Sequence, residues 1–298
     1  MSAILDLKHI HKSFNKQKAV DDVSFSVPEQ SIFGMLGPNG SGKTTTIRII
    51  TNILAPDIGE VVFDQQQLQR DQISKMGYMP EERGLYKKMK IWEQLVYLAQ
   101  LKGLSSKDAK DKVYKWMDRL NIKDWWGKKI DELSKGMSQK VQFISTVVHE
   151  PRLIILDEPF SGLDPVNSEV IKNEILRLRD EGATIIFSTH RMEQVEEICE
   201  EIVLYNFGKV ILSGKVNEIK QRFKQNQFSI KYEGTEPTLS EQFPVVSKQD
   251  HEMIVKISNG STPNDLLRTL VNQNTSVTAY REILPSLNEI FINQVTNR

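Results

Sequence analysis

Eight residues, Gly37-Pro38-Asn39-Gly40-Ser41-Gly42-Lys43-Thr44, constrain this 298-residue chain more than any others. They fit the spacing G-x-x-x-x-G-K-[ST] and follow a short apolar run, Ser31-Ile32-Phe33-Gly34-Met35-Leu36. That run reads as a buried strand, and Lys43 to Ile53 reads as a helix that stops before Pro56. A glycine loop between strand and helix turns successive backbone N–H groups inward, and the helix N-terminus adds the positive end of its dipole. The segment therefore demands a strand–turn–helix unit and offers a cradle for phosphate, built from Asn39, Gly40, Ser41, Gly42 and Thr45. Lys43 is placed to reach the β- and γ-phosphates of a nucleotide, and the Thr44 hydroxyl to hold Mg²⁺.

The rest of the first 215 residues continues in the same style. Ile4–Leu7, Val23–Val27 and Gly59–Phe63 alternate as strands, Pro28 closing the second. Leu153–Leu156, Thr184–Ser188 and Ile202–Tyr205 are apolar strands separated by helical stretches at Asn167–Arg179 and Met192–Glu200. Alternation of this kind predicts a mainly parallel sheet with helices on both faces, beside a smaller antiparallel sheet. Between the halves, about residues 85–150, the pattern turns helical. Ala109, Val113, Trp116, Met117 and Leu120 share one helical face, and Ser105 with Asp108 reads as its cap. Near Gly214 the composition shifts to Gln, Asn, Ser and Thr. Residues 216–298 read as a separate α+β domain, with strands at Phe228–Tyr232, Met253–Ile257 and Val277–Tyr280 and helices at Pro263–Leu270 and Ser286–Val295.

Two acids end the strand Leu153-Ile154-Ile155-Leu156-Asp157-Glu158. A carboxylate at a buried strand tip beside a phosphate loop suits a Mg²⁺ ligand, which points to Asp157. Glu158, one residue on, is the candidate to orient or deprotonate an attacking water. The strand Thr184–Ser188 runs into Thr189-His190, which sets His190 at the same end of the sheet with the expected task of a hydrogen bond to the γ-phosphate.

Composition narrows the function classes. Lys plus Arg equals Asp plus Glu at 39 each, so net charge makes no case for nucleic acid. The lone Cys199 excludes an internal disulfide and fits a reducing compartment. No run approaches the roughly 20 apolar residues of a bilayer span, and Asp6 interrupts the N-terminus too early for a signal core. A membrane role would therefore run through partners. Lys102–Lys129 carries nine Lys or Arg against four Asp, which fits either a solvated helical face or one turned to anionic head groups or acidic partner loops.

Taken together and in order, Gly37–Thr44, Leu133-Ser134-Lys135-Gly136-Met137-Ser138-Gln139, Leu153–Glu158, Ser161–Asp164 and His190 resemble the Walker A, signature, Walker B, D-loop and switch-histidine motifs of ATP-binding-cassette (ABC) ATPase subunits. The resemblance implies a P-loop NTPase cassette over residues 1–215. It also implies a head-to-tail dimer, a homodimer being expected, with ATP and Mg²⁺ held between Walker A of one subunit and the signature of the other. Ser134 and Gly136 would then contact the γ-phosphate of the partner's nucleotide, Asp164 would mark the D-loop, and Phe14 would stack on adenine. Implied partners are integral membrane permease subunits, which would hold the chain at the cytoplasmic face of the cell membrane; nucleic acid is not among them.

Two departures stand out. Lys135 and Met137 replace the usual glycine and glutamine, leaving Ser134 and Gly136; Lys135 is expected to point outward. At the Q-loop position, Gly77-Tyr78-Met79-Pro80-Glu81 carries Glu81 where an amide is usual, a side chain that only accepts hydrogen bonds and brings a negative charge. Glu81 is thus expected either to stand back from the phosphates, as a further Mg²⁺ candidate, or to pair with Arg83. Pro80–Tyr86 and Leu284–Phe291 further resemble bacterial exporters of the sodium-efflux and multidrug type that end in a small extra domain, a domain that could bind a regulatory effector. The alternative, a soluble ABC-type ATPase acting on ribosomes or DNA, normally requires two cassettes, long coiled coils or zinc modules, none of which is evident here.

Overall fold

The protein, seen in a computed structural model, is described for residues 2–15, 17–82, 84–258 and 260–296. It divides into two compact units, residues 1–216 and 217–298.

The first unit begins with two long strands, β1 (Ala3–Phe14) and β2 (Gln17–Pro28), and then enters β3 (Ile32–Leu36) and the helix α1 (Lys43–Ile50). Strands β4 (Ile58–Phe63) and β5 (Gln66–Gln67) complete an antiparallel sheet of order β2-β1-β4-β5. Its alternation puts Leu5, Leu7, Val23, Val27, Val61 and Phe63 in one core, which also receives Ile47, Ile49 and Ile50 of α1. The chain continues through β6 (Met76–Met79) and three helices, α2 (Ile91–Leu101), α3 (Ser106–Arg119) and α4 (Lys135–Val147). It returns through β7 (Leu153–Asp157), α5 (Pro165–Asp180), β8 (Thr184–Thr189), α6 (Met192–Ile198), β9 (Glu201–Asn206) and β10 (Lys209–Lys215). The second sheet has the order β10-β9-β3-β8-β7-β6. Its central strands β3, β7 and β8 are buried at every position, which is why they read as unbroken apolar runs. They run parallel, so the phosphate loop after β3, the acids after β7 and His190 after β8 emerge at the same edge.

The helical block is not the single stretch that its composition suggests. Gly103, with φ 97°, and Asn121, with φ 55°, end α2 and α3 respectively in left-handed turns. Ser105 caps α3 as expected, its hydroxyl accepting the Asp108 N–H at 3.1 Å. Trp116 is half-buried rather than fully packed, with Phe143 against its edge and the Arg177 guanidinium over its ring. Trp126 stacks on Trp92 with ring centres 5.8 Å apart. In this unit three strands escape the sequence pattern: β6 is only four residues long, β5 only two, and β10 mixes Lys, Ser and Gly into its apolar positions. Gly77 in β6 is required by packing, since a Cβ there would collide with the Thr146 carbonyl of α4.

A helix, α7 (Val216–Arg222), leads into the second unit. There β11 (Gln227–Glu233), β12 (Val245–Gln249), β13 (Glu252–Lys256) and β14 (Ser276–Ile283) form an antiparallel sheet of order β12-β13-β11-β14, with helices α8 (Pro263–Asn272) and α9 (Leu287–Thr296). Phe228, Ile230, Tyr232, Met253, Val255, Leu266 and Leu270 form its core. Thr262 caps α8 reciprocally with Asp265.

One buried group of the first unit makes its stability sensitive to acid. The Nε2–H of His149 donates to the Met76 carbonyl at 3.1 Å, leaving Nδ1 as a buried lone pair without a partner. Burial pushes the pKa of this ring down to about 4, and Lys102 and Lys112 repel a second positive charge. The unfolded chain takes up this proton near pH 6.5, while the fold refuses it until about pH 4. Stability is therefore full above pH 6.5 and falls as the pH drops through that window, by at most about 3 kcal/mol. Denaturant titrations at pH 7 and pH 4.5 are expected to show a smaller loss for His149→Gln than for the parent chain.

Candidate functional site

The edge where β3, β7 and β8 end carries a cleft of about 550 Å³ lined by the phosphate loop, Glu81, Asp157 and Glu158. The loop owes its shape to Gly42, the residue before α1, whose φ is 109°. A Cβ at Gly42 would come within 2.5 Å of the Ala19 carbonyl on β2, so the backbone passes where a side chain does not fit. Because Gly42 has no side chain, α1 begins uncapped and its first N–H groups are left for a ligand. The Ser41 hydroxyl is buried in the loop without a hydrogen-bond partner. Lys43 folds back so that its ammonium donates to the carbonyls of Gly37 at 2.7 Å and Pro38 at 3.1 Å. Burial holds its pKa below the usual lysine value, although Asp157, Glu158 and Glu81 act in the opposite sense. A phosphate anion would relieve that burial penalty.

Asp157 ends β7 inside the site, and burial pushes its carboxyl above the ordinary carboxylate range; the neighbouring charges of Glu158 and Glu81 add to this. The Thr44 hydroxyl lies 3.4 Å from Asp157 Oδ2. A hydroxyl and a carboxylate beside a phosphate cradle form a hard oxygen donor set that fits Mg²⁺, which characteristically takes few protein ligands and completes its shell with phosphate and water. Among the described residues no group of three or more His, Cys, Asp or Glu could hold a metal, so the cation would depend on the substrate for further ligands.

Glu158 adopts φ 52°, a left-handed conformation that is costly for a residue with a side chain. Its N–H donates to the Ser188 carbonyl at 2.8 Å. Its carboxylate accepts from the Thr189 hydroxyl at 3.0 Å, the His190 N–H at 2.9 Å and the His190 ring Nδ1 at 2.6 Å. Two residues separated by 32 positions are thus in direct contact. Since Nδ1 donates to Glu158, the free Nε2 of His190 can meet a phosphate oxygen only as an N–H, that is, in the doubly protonated ring.

Phe14 is 49% exposed and lines the cleft, so it is not a core residue. Glu81 lines the same cleft and acts electrostatically on Lys43 and Asp157; it does not stand back from the site. Its expected pairing with Arg83 lies outside the described residues. The signature segment sits elsewhere. Ser134 caps α4, its hydroxyl accepting the Met137 N–H at 3.2 Å, and neither it nor Gly136 lines the cleft. Lys135 is exposed, as expected. Its aliphatic stem crosses Gly162 of the D-loop closely enough that a Cβ there would overlap it. Asp164 caps α5 by accepting the Asn167 N–H at 2.9 Å, and that bond holds its carboxyl below the usual range.

Sequence reasoning missed the residues of β2 and the β9–β10 turn that complete the cleft, namely Gln17, Lys18, Ala19, Phe207 and Gly208. The signal was present in Asn206-Phe207-Gly208, a glycine turn between apolar segments. It also missed Gln142, whose amide donates to the Pro80 carbonyl at 2.7 Å and so binds α4 to the Glu81 turn.

The Gly42 geometry has a direct test. Gly42→Ala should lower stability by about 1–3 kcal/mol, since it adds both left-handed strain and a collision with the Ala19 carbonyl. It should also weaken nucleotide binding at least tenfold by the loss of about 1.4 kcal/mol or more of phosphate contacts. Thermal melting together with ATP titration checks both.

Comparison with known proteins converges on one family. Residues 20–161 match the family model described as ABC transporter, and residues 214–295 match that of the DrrA1-3-like ATP-binding protein, C-terminal domain. The ABC transporter ATP-binding protein YhaQ of Bacillus subtilis (strain 168) is 48% identical over 227 residues, 76% of each chain. The ABC transporter ATP-binding protein NatA of the same organism is 34% identical over 206 residues, covering 68% of this chain and 84% of that one. A solved ATP-binding subunit of an ABC transporter superposes with a TM-score of 0.70 at 28% identity, covering 74% of this chain and 93% of its own. With a nucleotide cleft built on the matched segment and relatives this close, the chain belongs to the ABC transporter ATP-binding proteins and is an ATPase subunit of that family.

Proposed function

We propose that this chain is the motor of a membrane exporter, acting as a head-to-tail dimer beside integral membrane permease subunits at the cytoplasmic face of the cell membrane. The observation that carries the dimer is the separation between the cleft and the signature. Ser134 and Gly136 stand at the N-terminus of α4, a 13-residue helix whose first N–H groups suit an anion, yet they do not line the cleft of their own chain. A γ-phosphate touching both must lie between two copies, held by Lys43 of one and Ser134 of the other.

The residue roles follow from the geometry. The phosphate loop, with Asn39, Gly40, Ser41, Gly42, Lys43 and Thr45, binds the polyphosphate, and Phe14 takes the adenine face. Thr44 and Asp157 would hold Mg²⁺, with Glu81 in reach of the same cleft; bound there, the cation supplies charge neutralisation for the transferring phosphate. Glu158, aimed by three donors, orients and deprotonates the attacking water. His190, fixed through Nδ1, offers its Nε2–H to the γ-phosphate and couples that contact to Glu158. Catalysis here is positioning and charge stabilisation more than covalent chemistry. Asp164, capping the helix after the D-loop, keeps that loop on its path toward the second copy. Export is supported by the likeness of the Pro80–Tyr86 and Leu284–Phe291 segments to efflux-type subunits.

Glu158→Gln should retain ATP binding, lose nearly all turnover and accumulate as an ATP-bound dimer in size-exclusion chromatography; ordinary steady-state hydrolysis by this variant would remove Glu158 from its role. The trans arrangement has an independent test. Lys43→Ala and Ser134→Arg subunits should each be inactive alone, while their mixture regains ATPase activity, because one composite site of the mixed dimer is intact. A mixture as inactive as its components would contradict the head-to-tail geometry.

A further inference from the structure

We propose that Phe207 is a second aromatic contact for the base of the bound nucleotide, so that the cleft recognises a purine ring through the β9–β10 turn as well as through Phe14. The inference rests on the reading of the cleft as the ATP site.

Phe207 is 85% exposed, more than any other large apolar side chain among the described residues. It is also in an unfavourable backbone position. The two-residue turn joining β9 to β10 has φ 46° at Phe207 and φ 78° at Gly208, the paired positive values of a type I′ hairpin turn. Asn, Asp or Gly suits the first of these positions, whereas a bulky aromatic residue does not. A phenyl ring that is both solvated and placed against local preference signals a use outside the fold.

The turn that carries it is fixed to the site. The Gly208 N–H donates to the Ser41 carbonyl of the phosphate loop at 2.9 Å. The Asp21 N–H of β2 donates to the Gly208 carbonyl at 2.8 Å. Gly208 lies against the Ala19 carbonyl, the group that also bounds Gly42. The cleft lining therefore passes from Phe14 at the end of β1, through Lys18 and Ala19, to Gly208 and Phe207. An aromatic ring on a turn anchored by two backbone hydrogen bonds of Gly208, beside a phosphate cradle, is suited to stack on, or pack against, a flat base whose phosphates occupy that cradle.

The test uses the full chain with Phe207→Asn, which suits the left-handed turn better than phenylalanine does, and Phe207→Tyr, which keeps the ring. Affinities for Mg-ATP and for inorganic tripolyphosphate with Mg²⁺ are measured by calorimetry, alongside thermal melting. Phe207→Asn is expected to weaken ATP binding about tenfold, within the range for losing one base–ring contact. It should leave tripolyphosphate binding unchanged and keep or raise the melting temperature. Phe207→Tyr should bind ATP as the parent does. ATP affinity unchanged in Phe207→Asn would overturn the proposal. An equal loss for ATP and tripolyphosphate would also overturn it, because the ring would then act through the phosphate loop. A parent chain that binds tripolyphosphate as tightly as ATP would show that the cleft gains nothing from a base, and would overturn the reading of Phe14 along with that of Phe207.

Discussion

The carboxylate of Glu158 is the point on which the site is organised. Its N–H holds the Ser188 carbonyl of β8, its side chain gathers Thr189 and both the backbone and ring of His190, and its own carbonyl accepts the Gln139 amide at 3.3 Å. These bonds require the left-handed backbone at position 158, and they supply the free energy that sustains it. A buried carboxylate with every lone-pair direction but the last engaged is oriented and slow to move. Strand order makes this possible. With β7 and β8 adjacent and parallel, the residues after each strand meet at one edge without any long loop between them.

The same glutamate ties the cleft to α4. Gln139 reaches the Glu158 and Pro159 carbonyls, while Gln142, one turn further along α4, reaches the Pro80 carbonyl beside Glu81. The helix that begins with Ser134 is therefore bonded to both acidic segments of the cleft. Gly77 permits this closeness, because α4 packs on β6 where a side chain would block it. The Lys135 stem adds a third tie, across the D-loop at Gly162. Glu158, the Pro80–Glu81 turn and the D-loop are thereby each in direct contact with α4 or the residue that opens it.

How much of this was legible in the sequence depends on whether a feature is local. The phosphate loop was, since its glycine spacing is a backbone requirement of eight consecutive residues. So were Asp157, Glu158 and His190, because acids or a histidine after an unbroken apolar strand must emerge at a sheet edge. The Glu158–His190 contact was readable only as proximity; the hydrogen bond depends on strand adjacency, which no residue encodes alone. Phe207 was missed because β10, with Lys, Ser and Gly among its seven residues, alternates too weakly to be read as the second strand of a hairpin. The outward course of Lys135 was legible from its place between Ser134 and Gly136; the contact of its methylenes with Gly162 was not, because it depends on where the D-loop passes. Within the helical block the start at Ser105 was legible, but the stops at Gly103 and Asn121, both with positive φ, were not read.

Electrostatics give the departure at position 81 its meaning. The charged side chains lining the cleft are Lys18 and Lys43 against Glu81, Asp157 and Glu158, so carboxylates outnumber ammonium groups where a polyanion must enter. Attraction for phosphate then rests on the N–H groups of the loop and the uncapped start of α1, which are short-ranged and directional. An amide at position 81 would have left the acids and the lysines balanced. Glu81 adds a third carboxylate, so under the proposed function a divalent cation bound with the nucleotide would offset negative charge that the two lysines leave unbalanced. The residue that sets this excess of negative charge is thus also the one joined through Pro80 to α4.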